Sequence, residues 1–597
     1  MNLDIDFINP DNVSTLPMMF HERVQRSAET TAYQNYDNHA KRWRSYTWRE
    51  TSDEVGRWQR ALQQEEMEKG ERVAIMLDNR WCWVLMDQAV LGLGLAVVSL
   101  YADDRPQSVG HILEDSGARV LIIRDIGVWN KLDEILKNSP ALKRIICLHS
   151  ASDSPEDPRF IYLNDWLPEG RYSHQAVSAS TDDLATLIYT SGTTGRPKGV
   201  MLSHRNLLAN AYGSLRKVSA LRSDRFLSFL PLSHALERTA GYYLPMMAGA
   251  EVVFARSVAT LAEDLQASKP TVIISVPRIY ERLYIRIRER LNQGSFMARG
   301  LFRLAERVGW RRFRHQQGQV GWHPVFLLWP LLRRLVAQKI LTGLGGRLRL
   351  AVSGGAAIPE RVAKQFISLG VPLVQGYGLT ESSPVICVNT LEDNDPTDVG
   401  TLLSDIEARI GDERELLVRG DTITSGYWQA PEATQRILDD EGWLHTGDQA
   451  RFRKNGHLRI TGRLKDIIVM ANGRKIAPGD LESAIALDPL FEQVVVIGEG
   501  KPYLTALTVL DATLRQKMDP EGKDPNEDRT LRDQLITRIN ERLQLFPQFA
   551  RIRRLTALTK PWTVDEGLIT PTQKLRRERV IQHHHALVNR MYEGHTI

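Results

Sequence analysis

The sequence predicts an α/β protein: a large N-terminal domain of α/β subdomains with mostly parallel sheets, followed by a small α+β domain. The chain has 597 residues, which is too long for a single hydrophobic core. Short apolar runs alternate with helical patterns over roughly the first 280 residues, as is typical of parallel strands joined by helices. Near Gly462 this pattern changes, and a compact turn motif precedes a new series of strands and helices.

The strands of the large domain are predicted from short apolar runs at residues 72–76, 120–124, 144–148, 251–254 and 271–275. The segment after Asn79 has a helical period. The longest apolar run, residues 89–100, contains two glycines and is too short to span a bilayer. We therefore interpret it as the end of a helix followed by a buried strand.

An arginine-rich, mostly helical insertion is predicted at residues 282–348, and residues 350–462 return to short strands and turns. We place the domain boundary at Lys465, which gives an N-terminal domain of residues 1–464 and a C-terminal domain of residues 465–597. Strand runs at 493–497 and 505–510 fall in the smaller domain, which is long enough to fold alone.

Composition narrows the class of protein. Hydrophobic residues make up 42% and charged residues 25%, and the net charge is only +5, so the whole chain is not a polyelectrolyte binder. The three cysteines, Cys82, Cys147 and Cys387, are scattered and show no metal-binding spacing, which favours reduced thiols. The acidic N-terminus lacks an export signal. We expect a cytoplasmic protein.

The most informative stretch is residues 187–200, where an apolar strand enters a loop of hydroxyls, glycines and one lysine. Glycines let backbone N–H groups face a ligand, and the hydroxyls and Lys198 add donors and charge suited to a polyphosphate. The loop does not satisfy the Walker A spacing. A second strand and then Ser203, a good helix N-cap, follow it. Composition alone leaves open a plain Ser/Thr/Gly turn.

Residues 189–199 closely resemble the phosphate loop of the adenylate-forming superfamily, which contains acyl-CoA synthetases, adenylation domains of peptide synthetases and luciferases. The resemblance implies that residues 1–464 are an adenylation domain and that the C-terminal domain is mobile. It implies ATP, Mg²⁺ and CoA as cofactors and cosubstrates. Thr190 and Lys198 become catalytic candidates, and the loop residues that would bind the nucleotide are Ser191, Gly192, Thr193, Thr194 and Gly195.

Further segments resemble motifs of the same superfamily, in the same order, so that the resemblance covers nearly the whole chain. Residues 353–357 resemble the segment between adenine and the acyl tunnel. Residues 375–381 resemble the adenine and metal motif, and residues 443–448 resemble the ribose motif. Residues 567–574 resemble the final motif, which carries one lysine. Taken singly, each segment also reads as an ordinary turn or a surface charge.

The resemblance assigns roles to individual residues. Tyr377 would stack on adenine, Thr380 would contact the α-phosphate, and Glu381, a hard oxygen ligand, would bind Mg²⁺. Asp448 would accept hydrogen bonds from the ribose hydroxyls, with Arg463 as a second nucleotide contact. Lys574 would bridge the substrate carboxylate and the α-phosphate. The other assignments are Gly355 and Gly378 at the nucleotide, Gly354, Ala356, His234 and Gly473 at the acyl group or CoA, and Lys465 as the hinge.

The sequence departs from the family pattern at Arg414, where the family usually has glycine before the following glutamate. We expect this change to alter a surface turn without affecting catalysis. The cluster His583, His584, His585 lacks an accompanying ligand set, and consecutive histidines on a helix point in different directions, so we do not predict a metal site there.

The composition of the insertion at residues 282–348 indicates which kind of acid the protein uses. Residues 282–348 contain fourteen Lys or Arg and two Glu, a net charge of +12, so the rest of the chain sums to −7. Its aromatic residues are Phe296, Phe302, Trp310, Phe313, Trp322, Phe326 and Trp329. This combination suits a peripheral anionic membrane surface, whereas the apolar run at residues 325–332 disfavours nucleic acid. Helices packed on the parent domain with solvated arginines are the alternative. Long-chain acyl-CoA synthetases carry longer inserts here, and the chain resembles that branch.

The resulting hypothesis is a long-chain fatty acid–CoA ligase that forms acyl-AMP, releases pyrophosphate, and transfers the acyl group to CoA. A second hypothesis is an adenylate-forming ligase that passes the acyl group to a carrier-protein pantetheine, or that stops at the acyl-adenylate. A third is a non-catalytic lipid-binding protein on the same scaffold. The residues Thr190, Lys198, Glu381, Asp448 and Lys574 are all present, which argues against the third.

Overall fold

A computed structural model of the protein describes residues 4–152, 154–177, 179–190, 196–570 and 574–593. Its strands, in chain order, are β1 Thr31–Asp37, β2 Arg42–Thr47, β3 Arg72–Met76, β4 Ala96–Ser99, β5 Val120–Ile123, β6 Arg144–Cys147, β7 Phe160–Tyr162, β8 Leu184–Thr190, β9 Lys198–Ser203, β10 Arg225–Ser228, β11 Glu251–Phe254, β12 Val272–Ser275, β13 Leu350–Ser353, β14 Leu373–Gly378, β15 Val385–Val388, β16 Thr401–Leu402, β17 Ile406–Ile410, β18 Glu415–Gly420, β19 Leu444–Phe452, β20 Leu458–Arg463, β21 Ile468–Val469, β22 Lys475–Ile476, β23 Phe491–Ile497, β24 Leu504–Leu510 and β25 Ile552–Leu558.

The α-helices are α1 Leu16–Ser27, α2 Trp48–Gln63, α3 Trp81–Gly92, α4 Pro106–Ser116, α5 Ile126–Lys137, α6 Leu163–Trp166, α7 His204–Lys217, α8 Leu244–Ala248, α9 Leu261–Ser268, α10 Pro277–Gln293, α11 Phe296–Gln316, α12 Trp329–Leu332, α13 Gln338–Gly343, α14 Glu360–Ser368, α15 Pro431–Gln435, α16 Pro478–Ala486, α17 Ala512–Met518, α18 Arg529–Arg542, α19 Arg577–His583 and α20 His585–Arg590. A π-helix at Glu237–Tyr243 leads directly into α8, and a second one at Arg333–Ala337 joins α12 to α13.

Two large, mostly parallel sheets form the N-terminal part of the chain. The first has the strand order β7-β6-β5-β3-β4-β8-β9, and the second has the order β16-β15-β14-β13-β12-β10-β11-β1-β2. Strands with both faces covered by helices read as continuous apolar runs, which is why the sequence signal was clear. The α/β prediction is confirmed, and each predicted strand is present within one or two residues of its expected bounds.

A four-stranded antiparallel sheet, β17 to β20, follows the two large sheets. The C-terminal residues form a hairpin of β21 and β22 and a three-stranded sheet in the order β23-β24-β25, covered by helices. Apolar residues of this region form their own clusters, which accounts for the change of pattern seen in the sequence.

The helical character of the insertion is confirmed, although its first helix, α10, begins at Pro277. One face of the insertion packs on α14 and on a small core that contains Phe302 and Trp329. Phe296 and Trp322 remain exposed. One face of the insertion therefore packs on the parent domain, while another carries apolar side chains to the surface. Docking of the insertion on a membrane stays a prediction.

Candidate active site

The candidate residues gather where parallel strands end. Strand β8 ends at Thr190, β13 ends at Ser353 just before Gly354, and β14 ends at Gly378. In open α/β sheets, ligands bind in the crevice beyond the carboxyl ends of the strands. Strand β8 belongs to the first large sheet and β13 and β14 to the second, so the polar and glycine-rich motifs lie at the carboxyl ends of strands in both sheets.

The two described ends of the phosphate loop face each other. Thr190 and Lys198 are directly opposite one another in the antiparallel pair β8 and β9. The Ser203 hydroxyl accepts a hydrogen bond from the Asn206 N–H and caps α7, as the sequence predicted. The predicted nucleotide contacts at Ser191, Gly192, Thr193, Thr194 and Gly195 lie outside the described residues.

The ribose candidate, Asp448, is buried and has two partners. The Tyr377 hydroxyl donates to its Oδ2 at 2.6 Å, and Arg463 Nε donates to its Oδ1 at 3.1 Å. Each carboxylate oxygen keeps a lone pair for a further donor. Burial and the neighbouring Asp448 charge raise the pKa of Tyr377 well above its ordinary value, so the phenol remains a donor.

The turn that carries Asp448 is held by Glu415, a residue that the sequence reasoning did not select. Glu415 Oε1 accepts a hydrogen bond from the Gly447 N–H at 2.8 Å, and Oε2 lies 2.9 Å from His445 Nδ1. The preceding residue, Arg414, has φ +63°, a conformation that favours glycine. The departure from the family pattern therefore falls on a strained, exposed turn beside a positioning carboxylate.

The metal candidate, Glu381, lies in a single turn of 3₁₀ helix at Thr380–Ser382. Tyr427 donates a hydrogen bond to Glu381 Oε1 at 2.7 Å, and the Lys198 ammonium lies 5.3 Å from the centre of the Tyr427 ring. Tyr427 thus links the phosphate loop to the metal candidate. Sequence reasoning missed it, although an adjacent aromatic pair, Tyr427 and Trp428, in a polar loop is a usable signal.

Lys574 belongs to the C-terminal domain but projects into the cleft of the large domain. Its loop is held by the Thr570 hydroxyl, which accepts from the Lys574 N–H at 3.0 Å. The side chain keeps solvent access along the open cleft, while protein atoms surround it on most sides. Burial and the nearby Arg463 lower the pKa of Lys574, and Asp448 opposes this effect.

His234, the candidate for the acyl site, lies close to this cluster. Its Nδ1 accepts a hydrogen bond from the Leu236 N–H at 3.2 Å, so the proton of the neutral ring is on Nε2. Burial, together with the charge of Lys574, lowers the pKa of His234 to about 4. The imidazole is therefore neutral at physiological pH, and it is close enough to Lys574 for their charges to interact.

The small candidate residues have specific surroundings. A Cβ on Gly354 would lie 3.1 Å from Leu236 Cδ2, so this glycine allows the loop that carries His234 to approach closely. Gly355, at φ +78°, and Ala356 are exposed in the cleft. A side chain on Gly378 would overlap the Pro384 carbonyl, which gives this glycine a packing role.

Two candidates lie apart from this cluster. Lys465 is exposed in a 3₁₀ turn at Leu464–Asp466, between the large domain and the β21–β22 hairpin. Gly473, at φ +77°, lies in the turn of that hairpin, and a side chain built there would meet no protein atom within 4 Å. Among the described residues, no group of three or more His, Cys, Asp or Glu is arranged to hold a metal ion, and this includes the histidines at 583–585.

The comparisons with known proteins identify the class. The AMP-binding enzyme family matches residues 20–428, and the AMP-binding enzyme C-terminal domain matches residues 465–596. The chain belongs to the AMP-binding enzyme family.

Its curated relatives include a long-chain-fatty-acid–CoA ligase of Mycobacterium bovis, which is 31% identical over 90% of this chain and 91% of the relative. A chloroplastic long-chain-fatty-acid–[acyl-carrier-protein] ligase of Arabidopsis thaliana is 29% identical over 92% of this chain and 82% of that protein.

Solved structures share the fold. An anthranilate CoA ligase in complex with anthranoyl-AMP matches with a TM-score of 0.73 and 21% identity, covering 98% of this chain and 100% of that chain. A two-domain fragment of the carboxylic acid reductase from Segniliparus rugosus, in complex with AMP, matches with a TM-score of 0.77 and 20% identity, covering 99% of this chain and 84% of that chain.

Proposed function

We propose that the protein is a long-chain fatty acid–CoA ligase, an AMP-forming acid–thiol ligase that couples ATP cleavage to thioester formation. The observation that carries the proposal is the convergence of Lys574, Asp448, Arg463 and His234 in one cleft, with Lys574 supplied by a different domain. The long-chain-fatty-acid–CoA ligase relatives support the choice of acid and acceptor.

In the first half-reaction, the fatty acid carboxylate attacks the α-phosphorus of ATP in line, the bond to pyrophosphate breaks, and acyl-AMP forms. Both reactants are anionic, so the protein has to neutralise charge and hold them in line. Lys574 is suited to contact the carboxylate and the α-phosphate, and Asp448 to hold the ribose. Thr190, Thr380 and Lys198 are the donors assigned to the phosphates.

A magnesium ion suits this donor set. Mg²⁺ commonly binds one or two carboxylates together with substrate phosphate oxygens, and Glu381 offers one hard carboxylate oriented by Tyr427. When bound, the ion would supply additional neutralisation of the phosphate charge. The hydrogen bond from the Tyr427 hydroxyl to Oε1 fixes the orientation of the Glu381 carboxylate.

In the second half-reaction, the CoA thiol attacks the acyl-adenylate carbonyl, the thioester bond forms, and AMP leaves. Lys574 has to withdraw to make room for the thiol. We propose that the C-terminal domain rotates about Lys465, which is exposed and has no partner among the described residues, and that the Gly473 turn then approaches the CoA arm. A Lys465→Pro variant with full rates in both half-reactions would contradict this hinge.

The insertion supports a membrane source for the acid. Half of the exposed large hydrophobic side chains of the described chain belong to it: Phe296, Met297, Leu304, Trp322, Leu327, Leu328, Leu331 and Leu335. The net charge of +12 on the same segment complements anionic lipid headgroups. No helix among the described residues has the length and apolar character needed to cross a bilayer. We propose peripheral docking through these side chains.

The docking proposal is tested by co-sedimentation with phosphatidylglycerol and phosphatidylcholine vesicles. A Leu327→Ser, Leu331→Ser variant should lose binding to the anionic vesicles. Val258→Ser, an exposed apolar residue outside the insertion, is the matched control and should bind like the wild type. Equal binding by both variants would refute a role for the insertion.

The catalytic proposal is tested by measuring pyrophosphate release with ATP, Mg²⁺ and palmitate, with and without CoA. Sustained release only with CoA supports the ligase. Lys574→Ala should slow adenylation by at least about 10²-fold, because a preorganised donor contributes roughly 3–4 kcal/mol to the barrier. Lys560→Ala, whose side chain is exposed in the same domain, is the matched control.

A carrier-protein acceptor is the second candidate, because one relative that covers most of the chain is a ligase for acyl carrier protein. The same assay separates the two: a single burst that CoA does not sustain, but that acyl carrier protein does, would favour this candidate. No pyrophosphate release with any acid would favour a non-catalytic lipid-binding protein.

A further inference from the structure

A cleft of about 700 Å³ lies between the large and the small domain, apart from the candidate active site. Helices α10, α11 and α14 form one wall, and α18 with the loop after α16 forms the other. None of the residues assigned to the nucleotide, the acyl group or CoA lines it. The volume is within the range of small-molecule sites.

The lining of this interdomain cleft is strongly basic. It contains Arg288, Arg307, Arg361, Lys364, Arg538 and Arg542, against two carboxylates. The large domain contributes the first four of these side chains and the small domain the last two. A cleft lined by one sign of charge concentrates counter-ions of the opposite sign.

Part of this charge is not neutralised by the protein. Arg538 and Arg542 share a single carboxylate, that of Asp488. Arg307 and Arg361 form no hydrogen bond or ion pair with any described residue, whereas Arg288 is paired with Glu306 and Lys364 with Glu360. The two walls therefore face each other with excess positive charge, which an anion between them would compensate.

The lining also includes a buried amide without partners. Gln365 is 3% exposed, and neither its Nε2 nor its Oε1 has a hydrogen-bond partner among the described residues. Buried polar groups are hydrogen-bonded in the great majority of cases, so an unpartnered buried amide such as that of Gln365 indicates a site for a ligand or a water molecule. The Lys364 ammonium lies 5.3 Å from the centre of the Trp310 ring, and this ring adds an aromatic face to the same wall.

We propose that this cleft binds a phosphate-bearing anion of nucleotide size and that the bound anion clamps the two domains together. Guanidinium groups match phosphate oxygens in geometry and charge, and Gln365 supplies a neutral donor. Because the anion would contact both walls only in the arrangement seen here, it stabilises that arrangement by its binding free energy. The site is therefore regulatory: it holds Lys574 in the active-site cleft and opposes the rotation needed for thioester formation.

Binding of inorganic tripolyphosphate, measured by calorimetry on the full chain, tests the proposal. Any binding at the active-site phosphate loop is common to the wild type and to all the variants below, so the differences between them report on the cleft. Arg361→Gln changes the large-domain wall and Arg542→Gln the small-domain wall. Each should weaken binding about ten-fold or more, since each removes charge-assisted hydrogen bonds. Arg311→Gln, an exposed arginine of α11 outside the cleft, is the matched control.

Absence of tripolyphosphate binding, or equal binding by all variants, would overturn the site. Weakening by Arg361→Gln but not by Arg542→Gln would overturn the clamp, because one wall alone would then hold the anion. Repeating the titration with CTP distinguishes a nucleotide from an inorganic polyphosphate as the bound anion. If CTP binds more tightly than tripolyphosphate and Trp310→Leu removes the difference, the anion is a nucleotide. If the two affinities are equal, the anion is an inorganic polyphosphate. These binding measurements do not depend on ligase activity.

Discussion

Glu237 is the first residue of the π-helix at Glu237–Tyr243, three positions after His234, and it offers a test of the electrostatics of this region. Its side chain is 1% exposed, and neither carboxyl oxygen has a hydrogen-bond partner among the described residues. Burial raises the pKa of Glu237 from 4.5 to about 8, and the nearby Ser228 hydroxyl moderates the shift without reaching hydrogen-bond geometry. The carboxyl is therefore protonated in the folded protein at neutral pH, and ionised in the unfolded chain.

The consequence is a stability that falls as pH rises. Between about pH 4.5 and 8 the folded state binds one more proton than the unfolded state, so the free energy of unfolding decreases by about 1.4 kcal/mol per pH unit. From pH 5 to pH 8 the Glu237 contribution is about 4 kcal/mol. The entropy of unfolding of a domain of about 460 residues is about 1 kcal/mol/K, so the melting temperature should change by about 4 °C.

Differential scanning fluorimetry of Glu237→Gln and the wild type from pH 5 to pH 8 measures this effect. Glutamine has nearly the shape of the protonated carboxyl but does not ionise, so its advantage in melting temperature should grow by about 4 °C over this range. Glu432→Gln, whose side chain is 90% exposed, is the control and should show no such trend. Parallel pH profiles for Glu237→Gln and the wild type would refute a buried protonated carboxyl.

Three further outcomes follow from the geometry. Tyr427→Phe removes a hydrogen bond to Glu381, and we expect about a ten-fold loss in the rate of pyrophosphate exchange at limiting Mg²⁺. An unchanged rate would show that Tyr427 does not orient Glu381 for the reaction. Gly378→Ala should lower the melting temperature by several degrees, because the new methyl overlaps the Pro384 carbonyl, and a wild-type melting curve would contradict the close packing. Gly300→Ala, in open space on α11, should instead stabilise that helix by about 1 kcal/mol, measured by denaturant unfolding, and destabilisation would indicate a hidden contact.

Much of the architecture was predictable because its signals are local. Runs such as Arg72–Met76 and Glu251–Phe254 are buried on both faces of a parallel sheet, and burial of this kind produces an unbroken apolar pattern. The same holds for the cap at Ser203, where one side chain and the helix that follows it determine the turn.

The contacts that shape the active-site region were not predictable, because they join residues far apart in sequence. Arg238 and Asp87 form a fully buried ion pair across 151 positions, with the Tyr242 and Tyr243 hydroxyls donating to the same carboxylate at 3.0 Å. Nothing in the local pattern marks either residue as buried, since charged side chains are ordinarily exposed. The approach of Lys574 to His234 likewise depends on how two domains meet.

Strand β1 has a consequence for how the protein is made. It forms a hairpin with β2, but its other edge pairs in parallel with β11, more than 200 residues further along the chain. At about 5–20 residues per second, the ribosome needs roughly 10–40 s to deliver β11 after β1 has emerged. Throughout that interval Ala32 and Tyr33, which are completely buried in the finished sheet, belong to an uncovered strand edge. The first hairpin of the nascent chain therefore stays incompletely paired until β11 has been synthesised.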